Sequence, residues 1–160
     1  MKTDWNLRFM RMADLEIAQW SKDHSSKVGA IIIKDREIVT TEFNGIPRGI
    51  NDDIEARHEK PEKHYWFIHA ESNAIINAAR QGKSTLGCDL YVNWFPCHTC
   101  AGFIVQAGIK RIFCDKEPDL NNLHYGESFK RALKILEEGD VEIIYMNYVT
   151  HRQSNISNNG

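Results

Sequence analysis

Apolar and polar positions along this chain follow two rhythms, and the switches between them mark its elements. Residues 5–23 carry Phe9, Ala13, Ile17 and Trp20 at three- and four-residue spacing, the apolar stripe of an amphipathic helix. Residues 28–33 are a continuous apolar run rich in Ile, as expected of a buried strand. Lys34-Asp35-Arg36-Glu37 is a polar turn, and residues 38–43 return as a second strand. Asn44-Gly45-Ile46-Pro47-Arg48-Gly49 reads as a loop. The charged segment 51–66, with His and Lys toward its end, is too long for a plain connector and reads as a surface excursion with a functional role. A helix is expected over 69–80, a strand over 88–93, and a helix from Pro96 to about residue 107, with the proline early in the helix, where its missing N–H costs little. Residues 110–114 predict a strand, 128–138 a helix followed by Gly139, and 141–145 a last strand. Residues 151–160, rich in Asn and Ser, are expected to form a flexible tail behind one domain spanning 1–150. Strands alternating with helices after the first hairpin imply an α/β fold, with helices on both faces of a central five-stranded mixed sheet.

Composition narrows the partners. The 160 residues suffice for one domain with an ordinary core. A net charge of -2 disfavours a large sequence-independent nucleic-acid interface, although it leaves room for a local basic patch. No apolar run approaches the roughly 20 residues needed to span a bilayer, and the first residues lack the pattern of a signal peptide. A cytoplasmic protein with no membrane partner is expected. In a reducing compartment Cys97 and Cys100, spaced C-x-x-C, read as metal-binding or redox residues before they read as a structural disulfide. Cys88 and Cys114 lack such spacing and read as small buried apolar residues.

The candidate chemistry sits in His69-Ala70-Glu71 and Pro96-Cys97-His98-Thr99-Cys100. An H-x-E followed by P-C-x-x-C supplies three zinc ligands, His69, Cys97 and Cys100, and one acid, Glu71, that is not a ligand; this is the signature of zinc deaminases acting on nucleobases. Three protein ligands leave the fourth position of zinc open to water. Both sulfurs fall on one side of a first helical turn, where the helix end favours thiolates. Other readings stay open: a closed structural zinc site with His98 or a distant His as fourth ligand, a metal-free redox pair, or a degenerate site. Glu71 argues against all three. Residues two apart on a helix do not share a face, so Glu71 is not a second ligand beside His69, yet from a frayed first turn it reaches a bound water and can carry its protons.

Further stretches narrow the comparison: Ser21-Lys22-Asp23-His24-Ser25-Ser26-Lys27-Val28-Gly29-Ala30, Asn44 to Gly49, His69 to Ile75, Phe95 to Ala101, and Gln106-Ala107-Gly108-Ile109. On these the chain resembles the deoxycytidylate (dCMP) deaminases of the zinc-dependent cytidine deaminase superfamily, over roughly residues 5–145. The resemblance implies a three-layer α/β/α fold and hydrolysis of dCMP to dUMP and ammonia, supplying dUMP for thymidylate synthesis. It places Asn44 at the sugar hydroxyl, Ser21, Lys22, Ser25 and Ser26 near the phosphate, and Ala70, Phe95 and Tyr125 around the base. Plainer readings stand beside these roles: a turn Asn, a solvated helix end, a core Phe and a surface Tyr. The resemblance also implies a homohexamer activated by dCTP and inhibited by dTTP, each bound with Mg2+, with Asn44, Gly45, Ile46 and Arg48 coupling the effector to the substrate. Some relatives hold a second zinc; here His58 and His64 are the residues available for one, and His98 reads as an ordinary exposed residue. Competing readings are a tRNA adenosine deaminase, which calls for a basic face, a free-base or nucleoside deaminase, and a nucleotide-sensing scaffold without catalysis.

Overall fold

The computed structural model describes residues 2–148; the tail expected at 151–160 lies outside them. Helix α1 (Trp5–Arg11) opens beneath Asp4, whose carboxylate accepts the Leu7 backbone N–H at 3.0 Å. It continues as a wide π turn over Met12–Ile17 and a tight 3-10 turn over Ala18–Trp20. The helical stretch stops there, short of the expected residue 23, because Ser21 turns extended and its hydroxyl donates to the Asn44 carbonyl at 2.7 Å. The wide turn lies where the first strand passes beneath it. A Cβ on Gly29 would stand 2.1 Å from the Ala13 carbonyl oxygen, so only glycine permits this approach.

The strands β1 (Gly29–Lys34), β2 (Glu37–Phe43), β3 (Asp89–Val92), β4 (Arg111–Cys114) and β5 (Glu142–Tyr145) form one sheet in the order β2-β1-β3-β4-β5. β1 runs antiparallel to β2 and β3, while β3, β4 and β5 are parallel. The sheet is mixed and five-stranded, as the pattern predicts.

Strand side chains alternate between two cores. Ile31, Ile33, Tyr91 and Phe113 pack under Phe9, Met10, Ala13 and Ile17 of the first helical stretch. Ala30, Ile32, Leu90, Val92, Ile112 and Cys114 face the other way. They meet α3 (Ala70–Arg80), α4 (His98–Gln106) and α5 (Gly126–Glu138) through Ala70, Ala74, Ala101, Ile104, Phe129 and Leu136. Both sheet faces are thereby covered, which is why β1 can be apolar on both sides. Segment 51–66 forms a 3-10 turn at Glu55–Arg57 and the short helix α2 (Lys63–Trp66). Among the described residues no helix is long and apolar enough to cross a membrane. Cys88 and Cys114 are fully buried, as their isolation in the sequence predicts.

Candidate active site

Two helix starts carry the chemistry. His69 is the N-cap of α3 and Cys97 the N-cap of α4, both in extended backbone, one residue outside their helices. Small buried residues between the helices, Ala70, Ala74 and Ala101, let them approach. His69 Nδ1 lies 3.4 Å from Cys97 Sγ and 3.5 Å from Cys100 Sγ. The three donor atoms all fall within 4.8 Å of one another. Ligand arms of about 2.3 Å to sulfur and 2.05 Å to nitrogen, at the tetrahedral angle, put the two donors about 3.6 Å apart. The triangle therefore fits zinc by donor type and by size, with Nδ1 as the imidazole ligand. His58 and His64, the residues considered for a second zinc, belong to no such triangle among the described residues; the other grouping found there, His24 with Glu55 and Glu59, is exposed.

The donors are also electrostatically coupled. The hydrogen bond from the Cys100 thiol, opposed by burial and helped by His69, pulls the Cys97 thiol down to about 4. Its contact with Cys97 raises His69 to about 9, against the effect of burial. Cys100, next to the Cys97 thiolate and buried, is pushed up. The triangle thus holds protons that one dication displaces, leaving two thiolates and a neutral imidazole. Glu71, 3% exposed in the first turn of α3, is raised by burial, although His69 pulls it back. A carboxyl group tuned upward beside metal ligands suits proton transfer.

Of these groups His69, Glu71 and Cys97 line a 330 Å³ cleft. Of the residues expected at the substrate, Ser26, Asn44, Ala70, Phe95 and Tyr125 line it. Tyr125 stacks on Phe129 at 5.7 Å, and Phe95 meets Phe129 edge-on at 5.5 Å, which makes an aromatic wall with Trp94. Asn44 is held on every side: its Oδ1 accepts the Val28 N–H at 2.9 Å, and its amide donates to Asp23 and to the Ser26 carbonyl. One lone pair on Oδ1 is left, so toward a ligand Asn44 is an acceptor. Ser21 and Lys22, expected near the phosphate, do not line this cleft. The Ser21 hydroxyl is buried, donating to Asn44 and accepting the Asp23 N–H. The Lys22 ammonium turns away to Asp52 and Asp53, 2.9 Å from each. Ser25 stands behind the cleft wall, its hydroxyl bonded to Asp23 and Lys63. Gly45, Ile46 and Arg48 line a neighbouring 400 Å³ hollow, where Arg48 pairs with Glu42.

With this geometry established, sequence comparison decides the family. The sequence model of the cytidine and deoxycytidylate deaminase zinc-binding region matches residues 3–116. The chain belongs to that family. An uncharacterised deaminase of Aliivibrio fischeri is 36% identical over 146 residues, covering 91% of this chain and 96% of the relative. The deoxycytidylate deaminase of Mus musculus is 42% identical over 115 residues, 68% of this chain; the matched region spans 63% of the mouse protein. Among solved structures, the dCMP deaminase of cyanophage S-TIM5, in complex with dCMP and dUMP, superposes with a TM-score of 0.73 at 28% identity, covering 91% of this chain and 99% of that one.

One part of this deaminase cleft escaped the sequence reading. Lys63 lines it with its ammonium buried, 2.6 and 2.8 Å from the two oxygens of Asp23 and 2.8 Å from Ser25 Oγ. Asp23 also accepts the Ser25 and Ser26 N–H groups, so one ion pair ties segment 21–26, Asn44 and α2 together. In sequence, Lys63 sits among charged residues and reads as solvated; only the distant Asp23, 40 positions earlier, explains it. Removing one partner of a buried pair leaves the other charge stranded. Lys63→Met is expected to lower unfolding free energy by about 3–5 kcal/mol in urea titrations, and an unchanged midpoint would refute this role. Burial raises the Asp23 carboxyl, but Lys63 and the two amides outweigh it, so its folded pKa lies below the ordinary 3.8. Its stabilisation is therefore complete above about pH 4 and is lost as pH falls through the lower folded value.

Proposed function

We propose that this chain is a dCMP deaminase, which hydrolyses the 4-amino group of the cytosine ring to give dUMP and ammonia. The observation that carries this reading is Glu71, buried yet lining the cleft, beside a ligand triangle of zinc dimensions. Relatives named deoxycytidylate deaminase, and a neighbour solved with dCMP and dUMP, support the substrate. His69, Cys97 and Cys100 would hold zinc, which when bound supplies a Lewis acid that makes water acidic near neutral pH. The Glu71 carboxylate accepts a proton from the attacking water and delivers it to ring N3. It passes the second proton to the departing amino group, so the C4–N4 bond gives way to C4–O and ammonia leaves. Tyr125, Phe95 and Trp94 shield one side of the base from water, and Asn44 Oδ1 accepts from a sugar hydroxyl.

Regulation belongs to the same reading. The loop bearing Gly45 pairs through two backbone hydrogen bonds with Ile68, the residue before His69. The adjoining hollow presents Arg48 and His58, whose buried Nδ1 has no hydrogen-bond partner among the described residues. Binding of dCTP or dTTP with Mg2+ there would act on His69 through one strand-like contact, in a homohexamer of the cytoplasm that feeds thymidylate synthesis. Ammonia release from dCMP, CMP, dCTP and deoxycytidine by the zinc-loaded protein tests the substrate, with dCMP expected to turn over fastest. Absence of dCMP turnover overturns the reading, and indifference of the rate to added dCTP and dTTP removes its regulatory part.

A further inference from the structure

Helix α3 brings one more polar group to the ligand triangle. Ser72 is 6% exposed, and its hydroxyl lies 3.3 Å from Cys100 Sγ. Among the described residues this is the one hydrogen bond its side chain makes. A hydroxyl within a helix ordinarily turns back onto a carbonyl three or four residues earlier. Both of those carbonyls are already engaged here: that of Ile68 accepts the Gly45 N–H, and that of His69 accepts the Asn73 N–H. Ser72 reaches across to α4 instead. Its spacing explains the direction. Ser72 stands three residues after His69, as Cys100 stands three after Cys97, so each helix start presents a pair of residues on one face. The two faces meet where His69 Nδ1 lies 3.5 Å from Cys100 Sγ.

The two sulfurs differ in their surroundings. Cys97 is half-buried and borders the cleft, whereas Cys100 is 1% exposed and does not line it. The form of cysteine that binds metal is the thiolate, so Cys100 as a ligand carries its charge away from water. Burying such a charge is costly unless a hydrogen bond meets it. A thiolate has no proton to give, so in the metal-bound state the hydroxyl is the donor and Cys100 Sγ the acceptor. We infer that Ser72 is a positioning residue of the metal centre, whose hydroxyl holds Cys100 as a ligand by donating a hydrogen bond to its buried sulfur; this rests on the zinc reading of His69, Cys97 and Cys100. The plainer role is packing, as a small residue between α3 and α4 alongside Ala70, Ala74 and Ala101. Alanine at position 72 separates the two, because it keeps a small side chain and loses only the hydroxyl.

The test is Ser72→Ala, read on the metal rather than on turnover. Alanine is the better helix former, so the metal-free fold has little reason to change. In chelator competition the variant is expected to bind zinc about 10–100-fold more weakly than wild type, the usual cost of losing an outer-shell partner. Cobalt in place of zinc supplies the deciding readout, because thiolate-to-cobalt charge-transfer absorption reports the energy of the sulfur lone pairs. A hydrogen bond to sulfur lowers that energy. Its loss is therefore expected to move the band of Ser72→Ala to longer wavelength. A thiolate band present in wild type and unmoved in the variant overturns the inference alone, even where zinc affinity falls, since looser packing would suffice for that. A wild type that takes up cobalt without any thiolate band has no such centre, and the zinc reading falls together with the inference.

Discussion

Glu71→Gln is expected to lower kcat for deamination by about 10²–10⁴-fold while leaving zinc content at one per chain. The substitution keeps the shape of a side chain that is 3% exposed and packed in the first turn of α3, so the fold has no reason to respond. It removes the ability to exchange a proton. The metal donors belong to His69, Cys97 and Cys100, whose mutual distances do not involve Glu71. The loss should therefore fall on kcat, with KM for dCMP little changed, as expected for a group needed chiefly in the transition state. Steady-state absorbance assays and elemental analysis of the same preparation provide both readouts. A variant within tenfold of wild type would remove Glu71 from the chemistry, and a variant that loses zinc would make it part of the ligand set.

Those groups are the part of the site most legible in the sequence, for a physical reason. A first helical turn turns sequence spacing directly into geometry, so C-x-x-C puts two sulfurs on one side and H-x-E separates a ligand from a proton carrier. The strands were legible for a similar reason: β1 reads as a run buried on both faces because helices cover both sides of the sheet. The cleft wall obeys no local rule. Lys63 lies in a four-residue helix within a charged stretch, and its burial depends on Asp23, brought near by tertiary packing. Lys22 and Ser21 have the right chemistry for a phosphate, but Asp52, Asp53 and the Asn44 carbonyl reach them first. Pattern alone could not foresee that competition, nor the break at Trp20, where Ser21 turns extended and donates to the distant Asn44 carbonyl.

The ligand triangle itself yields the second large effect, and Cys97→Ser isolates it. Cys97 occupies the N-cap of α4 with no side-chain capping bond of its own, and serine is among the best N-cap residues. The substitution therefore removes a zinc ligand without weakening the helix, and the metal-free variant should be at least as stable as metal-free wild type. Zinc affinity should fall by more than about 100-fold, since loss of even an outer-shell partner costs 10–100-fold. Deamination of dCMP should fall to background. Ligand binding to the folded state alone stabilises by about 4 kcal/mol when free zinc exceeds Kd a thousandfold. In a domain of this size that corresponds to a Tm shift on the order of 10 °C. Zinc should thus raise the Tm of stripped wild type by this amount and leave Cys97→Ser almost unmoved. The donors must lose their protons to bind, so the zinc-induced shift should shrink as pH falls. Stoichiometric zinc in the variant, or a wild type whose Tm and turnover ignore chelation, would show that His69, Cys97 and Cys100 are not the metal centre.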